Sequence, residues 1–133
     1  MAIQLSATVR NARLDAIETA IGTSATLKIL SGSMPASCAA AESGSVLATI
    51  TLPSDWMDAA ASGSKAKAGT WSDSSADNTG TAGYFRVYSG STCHLQGTVT
   101  LSGGGGDMTV DNTSFVANQS FIVNTFTLTD GNA

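Results

Sequence analysis

This 133-residue chain has little of what usually carries chemistry: one histidine, two cysteines, two glutamates and six basic residues. With His94 alone, a histidine metal site is excluded, and a Ser–His–Asp triad would have to run through that one residue. No serine lies in a GxSxG setting. The six Lys and Arg are scattered and the net charge is −4, so the clustered cations that neutralise phosphates are missing, and neither nucleic acid nor an anionic membrane is an expected partner. No segment approaches the roughly 20 apolar residues that cross a bilayer. The opening MAIQLSATVR lacks a basic stretch followed by an apolar one, so no signal peptide is expected and the chain is read as made in the cytoplasm. Glu18 falls in a helical stretch and Glu42 in an Ala-rich loop, a poor basis for a glycosidase carboxylate pair. Asp73, Asp77 and Asn78 lack calcium-loop spacing and read as turn residues. The expectation is a protein that is not an enzyme and needs no cofactor or metal.

Charged residues make up only 12% of the chain, and hydroxyls take their place: roughly a quarter of the residues are Ser or Thr, a composition suited to strands. The exception is Ser6 to Ile21, SATVRNARLDAIETAI, which is charged, Ala-rich and free of Gly and Pro, with Gly22 placed as a C-cap. Beyond Gly22 the chain reads as strands at 26–30, 46–52, 65–71, 82–88, 93–101, 108–110 and 120–129, separated by Gly, Ser, Pro and Asn clusters. In 93–101 the residues Cys93, Leu95, Gly97, Val99 and Leu101 alternate with His94, Gln96, Thr98 and Thr100, which predicts a half-buried antiparallel strand. Lys65 and Lys67 suit a solvent-facing edge strand. The fold class expected is mainly β: an antiparallel β-sandwich, jelly-roll-like or Ig-like, preceded by one N-terminal amphipathic helix. Residues 1–24 form the helical arm and 25–133 the sandwich domain. The glycines at 103–106 read as a flexible turn or a place where two backbones come close; no Lys-Ser/Thr pair follows to make a phosphate loop.

Three groups of residues are candidates for function. On the helix, Leu14, Ile17 and Ile21 share one sector, and Val9, Ala12, Ala16 and Ala20 form a second stripe beside Arg10 and Arg13. Either the large stripe packs on the domain's own sheet, or Arg10, Arg13, Leu14, Ile17 and Ile21 dock a neighbouring subunit. Tyr84, Arg86 and Tyr88 share a strand face and offer a recognition surface for a sugar, although packing explains them as well. Cys38 and Cys93 are either a disulfide closing a long loop or two free, half-buried thiols.

Four segments, VRNARLDAIETAIG at 9–22, the LKILSG…VLATITLP region, SADNTGTAGYFRVYSG at 75–90 and the ending TSFVANQSFIVNTFTLTDGNA, resemble small virion-associated structural proteins of tailed bacteriophages. The likeness covers nearly the full chain and brings no catalytic or binding motif with it. It implies a structural part of a phage particle, localised to the virion. A capsid decoration or cement protein is the leading reading, with the major capsid protein or other virion proteins and sister copies in a homo-oligomer as partners. A tail or neck component, or a host-glycan-binding module, is the alternative.

Overall fold

The computed structural model describes residues 3–131. Helix α1 (Ala7–Ile21) begins where the Ser6 hydroxyl accepts the Val9 N–H, and it ends at Gly22, whose N–H still bonds the Glu18 carbonyl while its φ of 91° turns the following chain out of the helix. Among the described residues ten strands follow: β1 (Ala25–Ser31), β2 (Val46–Thr51), β3 (Ser64–Ala66), β4 (Trp71–Asp73), β5 (Gly80–Ser89), β6 (Thr92–Leu101), β7 (Met108–Val110), β8 (Ser114–Phe115), β9 (Phe121–Val123) and β10 (Thr127–Thr129). The molecule is mainly β. Its main sheet has the order β2-β1-β5-β6-β7, with β8 pairing the start of β5, and two short ribbons, β10-β3 and β4-β9, complete it.

Alternation builds the core. Leu27 and Ile29 of β1, Ile50 of β2, Phe85 and Val87 of β5, and Val99 of β6 join one buried cluster with Trp56, Trp71, Val123 and Phe126 from the ribbons and their flanks. The rings pack tilted or edge-on rather than stacked: Trp56 and Trp71 are 6.1 Å apart, Trp71 and Phe126 5.6 Å, and Phe85 and Phe126 5.4 Å. Both indole N–H groups are satisfied, Trp56 by the Gly22 carbonyl at 3.0 Å and Trp71 by that of Ala68 at 3.1 Å. Gly97 lies opposite Phe85 across β5 and β6, and a Cβ there would come within 2.7 Å of the Phe85 ring. The ring fits because that position is glycine.

One pairing departs from the antiparallel expectation. β7 runs parallel to β6, with Val99 beside Met108 and Leu101 beside Val110. Parallel neighbours ordinarily need a crossover of a dozen or more residues; here the chain returns within 102–107. The four glycines make this possible. Gly103 and Gly105 take φ values of 85° and 81°, and Gly104 and Gly106 press on Thr100 so closely that a Cβ at either would lie 2.8 Å from its side chain. The Gly106 N–H and the Thr100 hydroxyl, 3.0 Å apart, hold the return in place. The tract is a close approach of two backbones.

Two further strands differ from the sequence pattern. Residues 65–71 do not form one solvent-facing strand: β3 and β4 belong to different ribbons, and Lys65 is only 1% exposed. The long final strand expected over 120–129 breaks into β9, which pairs β4, and β10, which pairs β3. Phe126 in the break is buried in the core. The stretch after Pro53 runs alongside the helix and carries isolated bridges from Met57 to Lys67 and from Ala61 to Ser64.

Candidate functional site

The face expected to be exposed for recognition is covered. Tyr84, Arg86 and Tyr88 point away from the core on β5, yet all three are buried, Arg86 to 2% exposure. The covering element is the loop 32–45, and each of these side chains holds it. Tyr84 Oη donates to the Ser43 carbonyl at 2.7 Å and accepts the Ser43 N–H at 2.9 Å. Arg86 donates through Nε to Gln96 Oε1 (3.0 Å), through Nη1 to Tyr88 Oη (3.3 Å) and through Nη2 to the Ser37 carbonyl (3.0 Å). Gln96 Nε2 reaches the Pro35 carbonyl at 2.8 Å. Tyr88 Oη donates to Glu42 Oε1 at 2.5 Å, and Lys28 Nζ meets the same oxygen at 3.0 Å while lying 4.7 Å from the Tyr88 ring centroid. A buried cation is tolerated when its donors find acceptors and a counter-charge is near; Gln96, Tyr88 and the Ser37 carbonyl are the acceptors, and Glu42, hydrogen-bonded to Tyr88, is the nearby charge.

The electrostatics follow from that closure. Partial burial pushes the Glu42 carboxyl up, but hydrogen bonds from Tyr88 and Lys28 outweigh it, so Glu42 titrates below its ordinary value. Burial, reinforced by the Glu42 charge, raises the Tyr88 hydroxyl. An open cleft of about 430 Å³ remains beside the cluster, lined by Lys28, Cys38, Glu42, Arg86, Tyr88 and Cys93 among others.

Cys38 and Cys93 meet at the rim of this cleft. Strict alternation would turn Cys93 inward with Leu95 and Gly97. A bulge between Val87 and Tyr88 shifts the register, pairs Cys93 with Tyr88, and turns its sulfur to the outer face. There Cys93 Sγ lies 2.8 Å from Cys38 Sγ, and both residues are free and half-buried. Burial first, and then the Cys38 sulfur, push the Cys93 thiol up to about 11, only partly offset by the Arg86 guanidinium.

The helix residues expected to dock a neighbouring subunit are largely engaged within the chain. Leu14 and Ile21 are 3% and 4% exposed, and Ile17 packs against the core. Arg13 Nε pairs with Asp130 Oδ2 at 3.2 Å although its side chain is 60% exposed, and Arg10 Nη1 donates to the Asp130 carbonyl at 3.2 Å. What the sequence did not suggest is how polar the helix's inner face is. Asn11, Asp15 and Glu18 accept the backbone N–H groups of Gly63, Ala60 and Met57 at 2.8, 2.9 and 3.0 Å. Acceptors three or four residues apart on one helix face meet donors three apart on an extended segment, a ladder made by side chains in place of a strand. At its centre Lys65 Nζ contacts Asp15 Oδ1 (2.8 Å), Glu18 Oε1 (2.9 Å) and the Asp58 carbonyl (2.8 Å). Burial lowers the Lys65 affinity for its proton, and the two carboxylates more than restore it. The only sequence signal for this was a run of acceptors, Asn11, Asp15 and Glu18, at helical spacing.

His94 is exposed on β6. Among the described residues, no group of three His, Cys, Asp or Glu side chains stands close enough to hold a metal ion. The polar side chains drawn together here, Lys65 and Arg86 with their partners, are fully engaged in joining one segment of chain to another. No protein-family model, curated protein or solved structure compared with the chain matches it.

Proposed function

We propose that this protein is a non-enzymatic structural component of a bacteriophage particle, a capsid decoration or cement protein that binds the major capsid protein. The observation that carries the reading is the use made of two buried cations and the carboxylates beside them. Lys65, Arg86, Glu42 and Asp15 each close a link between segments distant in sequence, so the chain's polar chemistry maintains a shape. Resemblance of the segments 9–22, 75–90 and the C-terminal stretch to virion-associated proteins supplies the setting. The surface left outward is rich in hydroxyls and poor in charge, which suits close packing of many copies on a shell, where polyvalent attachment needs only modest contact per copy. The fold is read here as a β-sandwich variant in which the ribbons β10-β3 and β4-β9 act as the second layer over the main sheet.

Quantitative mass spectrometry of purified particles against the major capsid protein tests the proposal. A copy number in simple ratio to the capsid protein supports decoration. A ring-sized number would move the protein to the neck or tail, and absence from particles would overturn a virion role. The glycan-binding alternative has less to rest on, because the tyrosines that suggested it lie under the loop 32–45.

A further inference from the structure

We infer that Cys38 and Cys93 are a modification site: a thiol pair that closes to an intramolecular disulfide by exchange with a small-molecule disulfide such as oxidised glutathione, locking the loop 32–45 onto the main sheet. The argument rests on placement and does not depend on the role proposed above. The two sulfurs face each other at 2.8 Å, each on a half-buried residue at the rim of an open cleft, so a small oxidant reaches them without unfolding. Their positions are set by contacts that do not involve sulfur. Cys93 faces outward because of the bulge opposite Tyr88. Cys38 is held by its neighbours: the Ser37 carbonyl accepts from Arg86 and also from the Ala40 N–H at 3.1 Å, and the Pro35 carbonyl accepts from Gln96. The loop is thus brought to the strand by hydrogen bonds, and the sulfurs arrive together as a consequence. Disulfides demand such prior placement, since cysteines whose Cβ vectors diverge cannot be bridged without backbone movement.

The exchange balances in two steps. One cysteine, as thiolate, attacks a sulfur of oxidised glutathione, breaks its S–S bond, and becomes a mixed disulfide as one glutathione thiolate leaves. The second, after losing its proton to solvent, attacks the protein sulfur of that mixed disulfide and expels the other glutathione. In sum, two protein thiols and one glutathione disulfide give one protein disulfide and two glutathione thiols. The high titration point of Cys93 makes closure slow at neutral pH and faster in mild alkali.

Closure would tie residues 55 apart in sequence and so remove much freedom from the unfolded chain; a loop of that size raises Tm by roughly 10 °C in a domain of this length. The experiment incubates the full-length protein with oxidised glutathione at mildly alkaline pH, then digests it without reductant. The expected result is a single peptide pair joining the Cys38 and Cys93 fragments in monomeric protein, the loss of two hydrogens by intact mass, and a higher Tm that dithiothreitol reverses. Full alkylation of both cysteines after oxidation would overturn the inference. So would glutathione retained on either sulfur without a link, or a link found only between two chains. Cys38→Ala and Cys93→Ala should each abolish the redox dependence of Tm. The peptide map of the unsubstituted protein decides the matter even if neither variant folds.

Discussion

Lys65→Met removes the ammonium at the centre of the helix ladder while keeping most of its aliphatic stem. Three charge-assisted contacts are lost, to Asp15, Glu18 and the Asp58 carbonyl, each worth about 1.5–3 kcal/mol. Against that gross loss of several kcal/mol stands the recovered desolvation of the ammonium, itself several kcal/mol. The carboxylates left behind are not stranded: the Asp15 side chain is 46% exposed and the Glu18 side chain 21%, so both can turn toward water. That relief keeps the net cost below that of a fully buried orphaned charge, and we expect a loss of about 2–4 kcal/mol. The turning has its own consequence, because the N–H groups of Ala60 and Met57 lose their acceptors with it. The assay is urea unfolding with a Tm measurement: the midpoint should fall with an unchanged slope, and Tm should drop by roughly 10 °C for a chain of this length. Amide exchange should rise selectively at Met57 and Ala60, with Gly63, whose N–H bonds to Asn11, affected least. A variant within about 0.5 kcal/mol of the unsubstituted protein, or one whose exchange at those amides is unchanged, would refute the idea that Lys65 organises the helix contact.

Gly106→Ala should cost about 1–3 kcal/mol, since its Cβ would lie 2.8 Å from the Thr100 side chain and 3.0 Å from the Thr100 backbone nitrogen; a neutral effect in thermal unfolding would contradict the close return between β6 and β7. Arg86→Leu should free the loop 32–45 while leaving the core intact, seen as faster amide exchange at Ser43, whose N–H bonds to Tyr84; unchanged protection there would mean that Tyr84 alone holds the loop. Asp15 and Glu42 both titrate below their ordinary values of 3.8 and 4.5, Asp15 chiefly through its hydrogen bond from Lys65 and Glu42 through Tyr88 and Lys28 against the opposing effect of burial. A lowered folded value stabilises the protein above the unfolded value and is lost as pH falls through the folded one. Stability should therefore decline from about pH 5 downward, and a flat profile to pH 2.5 would contradict this. Iodoacetamide should label Cys93 progressively faster as pH rises toward 11; a rate that plateaus near neutral pH would show a thiol less hindered than its surroundings imply.

The sequence carried the helix ends and the strong strands well, because caps and period-two alternation are local properties. Ser6 and Gly22 bound the helix by their own chemistry, and Tyr84 to Tyr88 alternate whatever they pack against. What was not legible depends on partners far along the chain. Lys65 reads as a surface lysine until Asp15 and Glu18 are placed beside it, about 50 residues away in sequence. The bulge at Tyr88 that turns Cys93 outward leaves the strand's own pattern intact, so the phase error is invisible from either strand alone. Tyr84, Arg86 and Tyr88 share one side of β5, as alternation predicts, but the exposure expected of them fails. Their burial was not legible, since the loop 32–45 is built mostly of Ala, Ser and Gly, and its one large apolar side chain, Met34, is exposed. The loop is held instead through the Pro35, Ser37 and Ser43 carbonyls, which any residue would offer, together with the Glu42 carboxylate.

The link from Arg10 to Asp130 brings together positions 120 apart in sequence, Arg13 pairs with the same residue, and β3 finds its ladder partner in β10, the last strand described. During synthesis the helix emerges before both segments that receive it, residues 57–65 and the stretch that ends in Asp130. Residues 57–65 can cover the helix's polar inner face as soon as they are made, whereas the contacts with Asp130 wait for the segment that also carries β10, so the links of greatest sequence separation close last. The helix is thus clasped twice, by a segment about 50 residues on and by one 120 residues on, and loosening either leaves the other to keep it on the domain.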